Sequence, residues 1–198
     1  MNPYLAVSLV MCGVIVLSLA ATAYMAVYFT RRARADLELA LTSLAAVIDG
    51  KANVEDALVE GRFNRRLAFG RMAHAEGGPV RVFQTELIDA AGGEKWLFVG
   101  YPEKGTTEFR PRDSPMFHGL PVLDREDLAA ALRVLAEWFQ LDYSPDGGYV
   151  RLSVPMATRK DIPGDDAFRR QLEILDTLAN ENRHLQESLN AKGTGAGE

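Results

Sequence analysis

From Tyr4 to Phe29 the chain runs without a charge (YLAVSLVMCGVIVLSLAATAYMAVYF), and Arg31, Arg32 and Arg34 follow at once. The run exceeds the roughly 20 apolar residues a helix needs to cross a hydrocarbon core. At about 1.5 Å per residue it makes a helix of roughly 39 Å, enough to span with some tilt. It has no polar face, which a helix lying on a soluble core would carry. A cleavable signal fits poorly. No Lys or Arg precedes the run, the apolar stretch is too long, and the small-residue site Ala20 to Ala23 lies inside it. Tyr4 and Tyr28 stand near its ends, where amphipathic rings favour the membrane interface.

Beyond the arginines the pattern changes period. Leu37, Leu41, Leu44 and Ile48 recur every three or four positions and predict a helix from Arg31 to Ile48. Asp49-Gly50-Lys51 breaks it. Asn53 is placed to cap a second helix, Val54 to Phe63, and a third is expected over Asn64 to Ala75. After Gly77-Gly78-Pro79 the composition turns to β-branched and aromatic residues. VRVFQTELID and EKWLFVGY read as two strands joined through Ala90 to Gly93 as a hairpin.

Pro102 to Val122 reads as a long surface loop with a short strand around Glu108 to Arg110. Its apolar pair Met116 and Phe117 is the candidate partner contact. Asp124 caps an amphipathic helix from Arg125 to Leu141, with Leu128, Leu132, Leu135 and Phe139 on one stripe. A turn at Ser144 to Gly148 leads into a third strand, Tyr149 to Met156, placed beside the hairpin.

The last helix is expected from Ala167 to Asn190. With Phe168, Leu175, Asn182 and Leu189 at heptad position a, Leu178 and Leu185 fall at d, and Gln171 is the weak d position. A buried Asn at a is a known device for setting register in paired helices. These residues are therefore the candidate self-association seam, with packing on the chain's own domain as the competing arrangement.

The resulting organisation is α+β. Residues 1–30 are a transmembrane anchor, 31–76 a membrane-proximal helical segment and 77–160 a small domain of antiparallel sheet with a packed helix. Residues 161–190 form an amphipathic, coiled-coil-like helix, and 191–198 a disordered tail.

Charge sharpens this picture. The net charge of the 198 residues is −5, and every charged side chain comes after the apolar run. Arg31, Arg32 and Arg34 on one flank, against none on the other, predict an outside N-terminus and a cytoplasmic domain at an inner, cytoplasmic-type membrane. The same arginines are placed to meet anionic head groups. The acidic balance lacks the basic field of a nucleic-acid binder.

Chemistry is sparse. His74, His118 and His184 lack metal-ligand spacing, Cys12 is the single cysteine and lies in the apolar run, and no serine sits in a nucleophile elbow. Gly92-Gly93-Glu94-Lys95 lacks the spacing of a phosphate loop, so turn chemistry accounts for its glycines. No catalytic, cofactor-binding or metal-ligating residue is assigned.

The expected function is thus a non-enzymatic, single-pass accessory or scaffold subunit that stabilises a membrane complex. Its partners would be other membrane subunits and the bilayer, with a homodimer as a further option. The alternative is a membrane-anchored sensor of general PAS- or GAF-like layout, dimerising through the last helix. That alternative rests on fold-level analogy alone.

Overall fold

The computed structural model describes residues 3–75, 78–89, 92–101, 107–110 and 125–194. It divides into two compact units, Met1–Leu39 and Ala40–Glu198. Helix α1 runs from Pro3 to Val47. In the first unit the side chains from Val7 to Arg32 are all exposed. In the second, Leu41, Leu44 and Ile48 of the expected helical stripe are fully buried.

The second unit is built on one eight-stranded sheet. Its strands are β1 (Lys51–Asn53), β2 (Leu58–Phe63), β3 (Arg66–His74), β4 (Arg81–Ile88), β5 (Trp96–Gly100), β6 (Thr107–Arg110), β7 (Phe139–Ser144) and β8 (Tyr149–Pro155). Helix α2 spans Arg125–Leu135. A 3₁₀ turn at Arg159–Asp161 precedes the long helix α3, Asp165–Thr194. The sheet order is β1-β2-β3-β4-β8-β7-β5-β6, antiparallel throughout.

The two helices expected between Val54 and Ala75 are strands. The reason is local turn chemistry. The Asn53 side chain accepts from the backbone N–H of Glu55 and Asp56, but it closes a turn instead of starting a helix. Phe63 pairs with Arg66, which leaves a two-residue connection, Asn64-Arg65, with φ of 47° and 71°. Two positive φ values mark the mirror-image turn that matches strand twist. No glycine announces it.

Three further expectations are corrected. The strands expected to form a hairpin, β4 and β5, are separated in the sheet by β8 and β7. The helix expected to reach Leu141 stops at Leu135, and Phe139, Leu141 and Tyr143 become the inward-facing residues of β7. The helical segment 31–76 is therefore helical only as far as Val47. The strand around Glu108 to Arg110 and the strand after the Ser144 to Gly148 turn lie where the pattern put them.

One face of the sheet holds the apolar core. Cross-strand rows run Thr85–Leu152–Leu141–Phe98 and Ala68–Leu87–Val150–Tyr143–Trp96. Helix α3 lies on this face: the Phe83 and Phe168 rings meet edge to face at 6.0 Å, and Thr85 Oγ1 donates to Gln171 Oε1 at 2.5 Å. Phe168, Leu172, Leu175 and Leu178 are fully buried. Each such side chain contributes about 1.5–3 kcal/mol. Gly70 leaves the room this packing needs, since a Cβ there would come within 2.8 Å of Val59 and 3.1 Å of Phe168.

Candidate functional site

The opposite face of the same strands carries charge. Its rows read Phe69–Glu86–Arg151–Asp142–Leu97 and Arg71–Gln84–Ser153–Gln140–Val99. The period-2 geometry of a strand sends neighbours to opposite faces, so β4, β7 and β8 each feed both the core and this ladder. Gln84, Asp142, Arg151 and Ser153 are buried. Burial on both faces is why β4 does not alternate cleanly in sequence.

Arg151 grips Asp142 through both carboxylate oxygens, at 3.2 Å from Nε and 2.9 Å from Nη2. Its guanidinium also lies 4.9 Å from the centre of the Tyr149 ring. Arg71 donates to Gln84 at 3.0 Å and reaches Glu86 at 3.4 Å. Burial pushes the Glu86 carboxyl above its ordinary value, against the lowering fields of Arg71 and Arg151, and Asp142 adds a smaller upward push. The ladder is a charge-paired array whose acids are engaged by arginines.

A second polar cluster forms where α3 crosses the β4–β5 connection. Tyr143 donates to the carbonyl of Gly92 at 2.6 Å, and the Asn182 amide approaches the same oxygen at 3.5 Å. Arg183 pairs with the buried Asp89 at 3.0 Å. Burial raises the Tyr143 phenol, opposed by its bond with Asn182. Gly92 and Gly93 have φ of 76° and 99°, and a Cβ on Gly93 would strike Gln186. Turn geometry and close helix approach therefore explain these glycines.

This cluster gives Asn182 an intramolecular job. The heptad reading placed Phe168, Leu175, Leu178 and Asn182 on a seam between chains, yet all four are buried within the single chain. Of that seam, Leu185 is half-buried and Leu189 is exposed. Gln171, the weak position, is accounted for by its bond to Thr85. Sequence reasoning detected the apolar stripe of α3 and had no signal for which surface it meets.

The remaining expected residues stay apart. Tyr4, Tyr28, Arg31, Arg32 and Arg34 are exposed along α1. There Tyr24 and Tyr28 stack at 6.5 Å and Phe29 meets Tyr28 edge-on at 5.7 Å. Met116 and Phe117 lie outside the described residues. Between α2 and α3 an open groove of about 570 Å³ is lined by Leu128, Val134, Leu135 and Ile174, with Val134 well exposed.

Among the described residues, no three His, Cys, Asp or Glu side chains gather as a metal-ion set. His184 faces Glu187 at 3.7 Å, and His74 lines a cavity at the end of β3. The ladder residues were missed in sequence because Glu86 is far along the chain from the other two, and because the start of β7 was expected to be helix, which hid the hairpin that pairs Asp142 with Arg151. Their meeting is a product of strand order. Comparison of this chain with protein-family models, curated proteins and solved structures finds no match.

Proposed function

We propose that this protein is a non-enzymatic, single-pass membrane accessory subunit, with α1 crossing the bilayer and the α+β unit stabilising a multi-subunit complex from the cytoplasmic side. The observation that carries this reading is the exposure of α1. It is the one described helix long and apolar enough to cross a membrane, and its most apolar window has no residue buried within the chain. Leu9, Val10, Leu17 and Leu19 are all more than 60% exposed. Water does not tolerate a contiguous apolar surface of that size, whereas lipid and neighbouring membrane helices do.

Orientation follows from Arg31, Arg32 and Arg34 after the apolar run. The destination of the charged groups also fits a binding role: Glu86 is engaged by Arg71, and Asp142 by Arg151. The sensor alternative relied on the α3 seam for dimerisation, and that seam is largely covered by the chain's own sheet.

The test has two arms. Alkaline carbonate should leave the full chain in the membrane pellet; release into the supernatant refutes the span. Extraction in mild detergent, followed by native mass determination, should return a complex with other membrane proteins. A clean monomer or homodimer refutes the accessory-subunit reading while leaving the span intact.

A further inference from the structure

At one end of the sheet, beside the β3–β4 connection, lies a cavity of about 260 Å³. Its lining is divided by chemistry. Met156 is buried, and with half-buried Met72 and Ala73 it supplies an apolar floor. His74, Arg81 and Arg159 are exposed around it. Among the described residues, no Asp or Glu lines the cavity.

Three elements hold this arrangement. His74 and Arg81 face each other across β3 and β4. The Met156 N–H donates to the Arg81 carbonyl at 2.8 Å and ties the end of β8 to the start of β4. Arg159 stands on the 3₁₀ turn, where Thr158 and Asp161 form a reciprocal cap. The Asp161 carboxylate accepts from the backbone N–H of Ala157 and Thr158, at 2.9 and 2.6 Å. These bonds fix the turn that carries Arg159. The cationic side chains thus stand on paired strands and a capped turn.

The geometry points to a binding site for a small anionic amphiphile: a carboxylate or phosphate monoester on a short apolar stem. Arginine and histidine N–H groups suit the anionic head, and arginine can engage it through two parallel bonds. The two methionines provide a soft, adaptable surface for the stem. The volume lies just below that of pockets for drug-sized ligands, which limits the stem to a few carbons. This inference is independent of the membrane reading.

Its test uses the full chain in neutral maltoside micelles, titrated with hexyl phosphate, hexanoate, hexanol and inorganic phosphate, and read by calorimetry and thermal unfolding. Hexanoate, hexyl phosphate or both should bind at least about tenfold more tightly than hexanol, the scale of a charge-assisted hydrogen bond. Which anion wins separates the carboxylate from the phosphate source. Arg81→Ala, and separately Arg159→Ala, should weaken binding of that anion about tenfold with an unchanged circular dichroism spectrum. Equal binding of hexanol, equal binding of inorganic phosphate, or no binding by either amphiphilic anion overturns the site. Full retention of affinity in both arginine variants does so too.

Discussion

Arg151 keeps 9% of its side-chain surface exposed and Asp142 5%, so their bidentate pair sits in a low-dielectric setting. Removing one partner strands a buried charge, which costs about 3–5 kcal/mol, whereas replacing both by apolar groups is often close to neutral. Arg151→Met should therefore destabilise the protein by roughly 3 kcal/mol. Adding Asp142→Leu should restore most of the loss in denaturant unfolding. If the double variant is as unstable as the single one, the pair is not the source of the effect. Glu86 gives a pH signature on the same face. Its carboxyl is raised above 4.5, chiefly by burial, so the folded chain holds that proton more tightly than the unfolded chain. The resulting stability is fully present below the unfolded value and is lost as pH rises through the folded one. Glu86→Gln removes that loss. The melting temperature of the variant relative to the parent should rise as pH increases from 4.5. Parallel pH profiles would show that burial does not govern this group.

Elements were legible where one local signal dominated. The alternation after the Ser144 to Gly148 turn and the amphipathic stripe of α3 both produced the element expected. The stretch from Val54 to Ala75 was misread because its Glu, Ala, Leu and Arg are good helix formers, while the deciding turn is Asn64-Arg65. That turn yields a prediction. Arg65 is exposed at φ 71°, a conformation glycine adopts without steric cost. Arg65→Gly should stabilise the domain by about 0.5–1 kcal/mol, read as a higher denaturation midpoint. A lower midpoint would mean that the Arg65 side chain outweighs the backbone strain. In α3, burial separates the two ends of the heptad stripe. Leu178→Ala, in the core, should cost about 2–5 kcal/mol. Leu189→Asp, at 41% exposure, should change stability by no more than about 0.5 kcal/mol. Leu189→Asp is consequently the variant that probes self-association without unfolding the chain. Loss of a dimer with this variant would place the remaining seam between chains, and an unchanged oligomer mass would exclude it.

At the scale of the whole molecule, charge and hydropathy divide the chain sharply. No charged side chain precedes Arg31, and the net charge of −5 resides entirely on the residues from Arg31 onward. If the arginines set orientation, moving Arg31, Arg32 and Arg34 ahead of Tyr4 should invert the topology of fused reporters. An unchanged orientation would assign that role to folding of the α+β unit or to partner subunits. The sheet gives the second unit its stability and its chemistry together. Its central strands β4, β8 and β7 bury apolar side chains on the face beneath α3 and a charged ladder on the other.

The apolar helix, the asymmetric arginines, the α+β class and the apolar stripe of the last helix were all legible along the chain. Each is a local pattern, written in composition or in a period of two or 3.6 residues. Folding in three dimensions set the strand order that parts β4 from β5, the surface that receives α3, and the meeting of Glu86, Arg151 and Asp142. Those outcomes depend on which strands and helices meet, most of them through contacts between residues dozens of positions apart. Period and propensity describe a residue's neighbours in the chain, and carry no record of its neighbours in space.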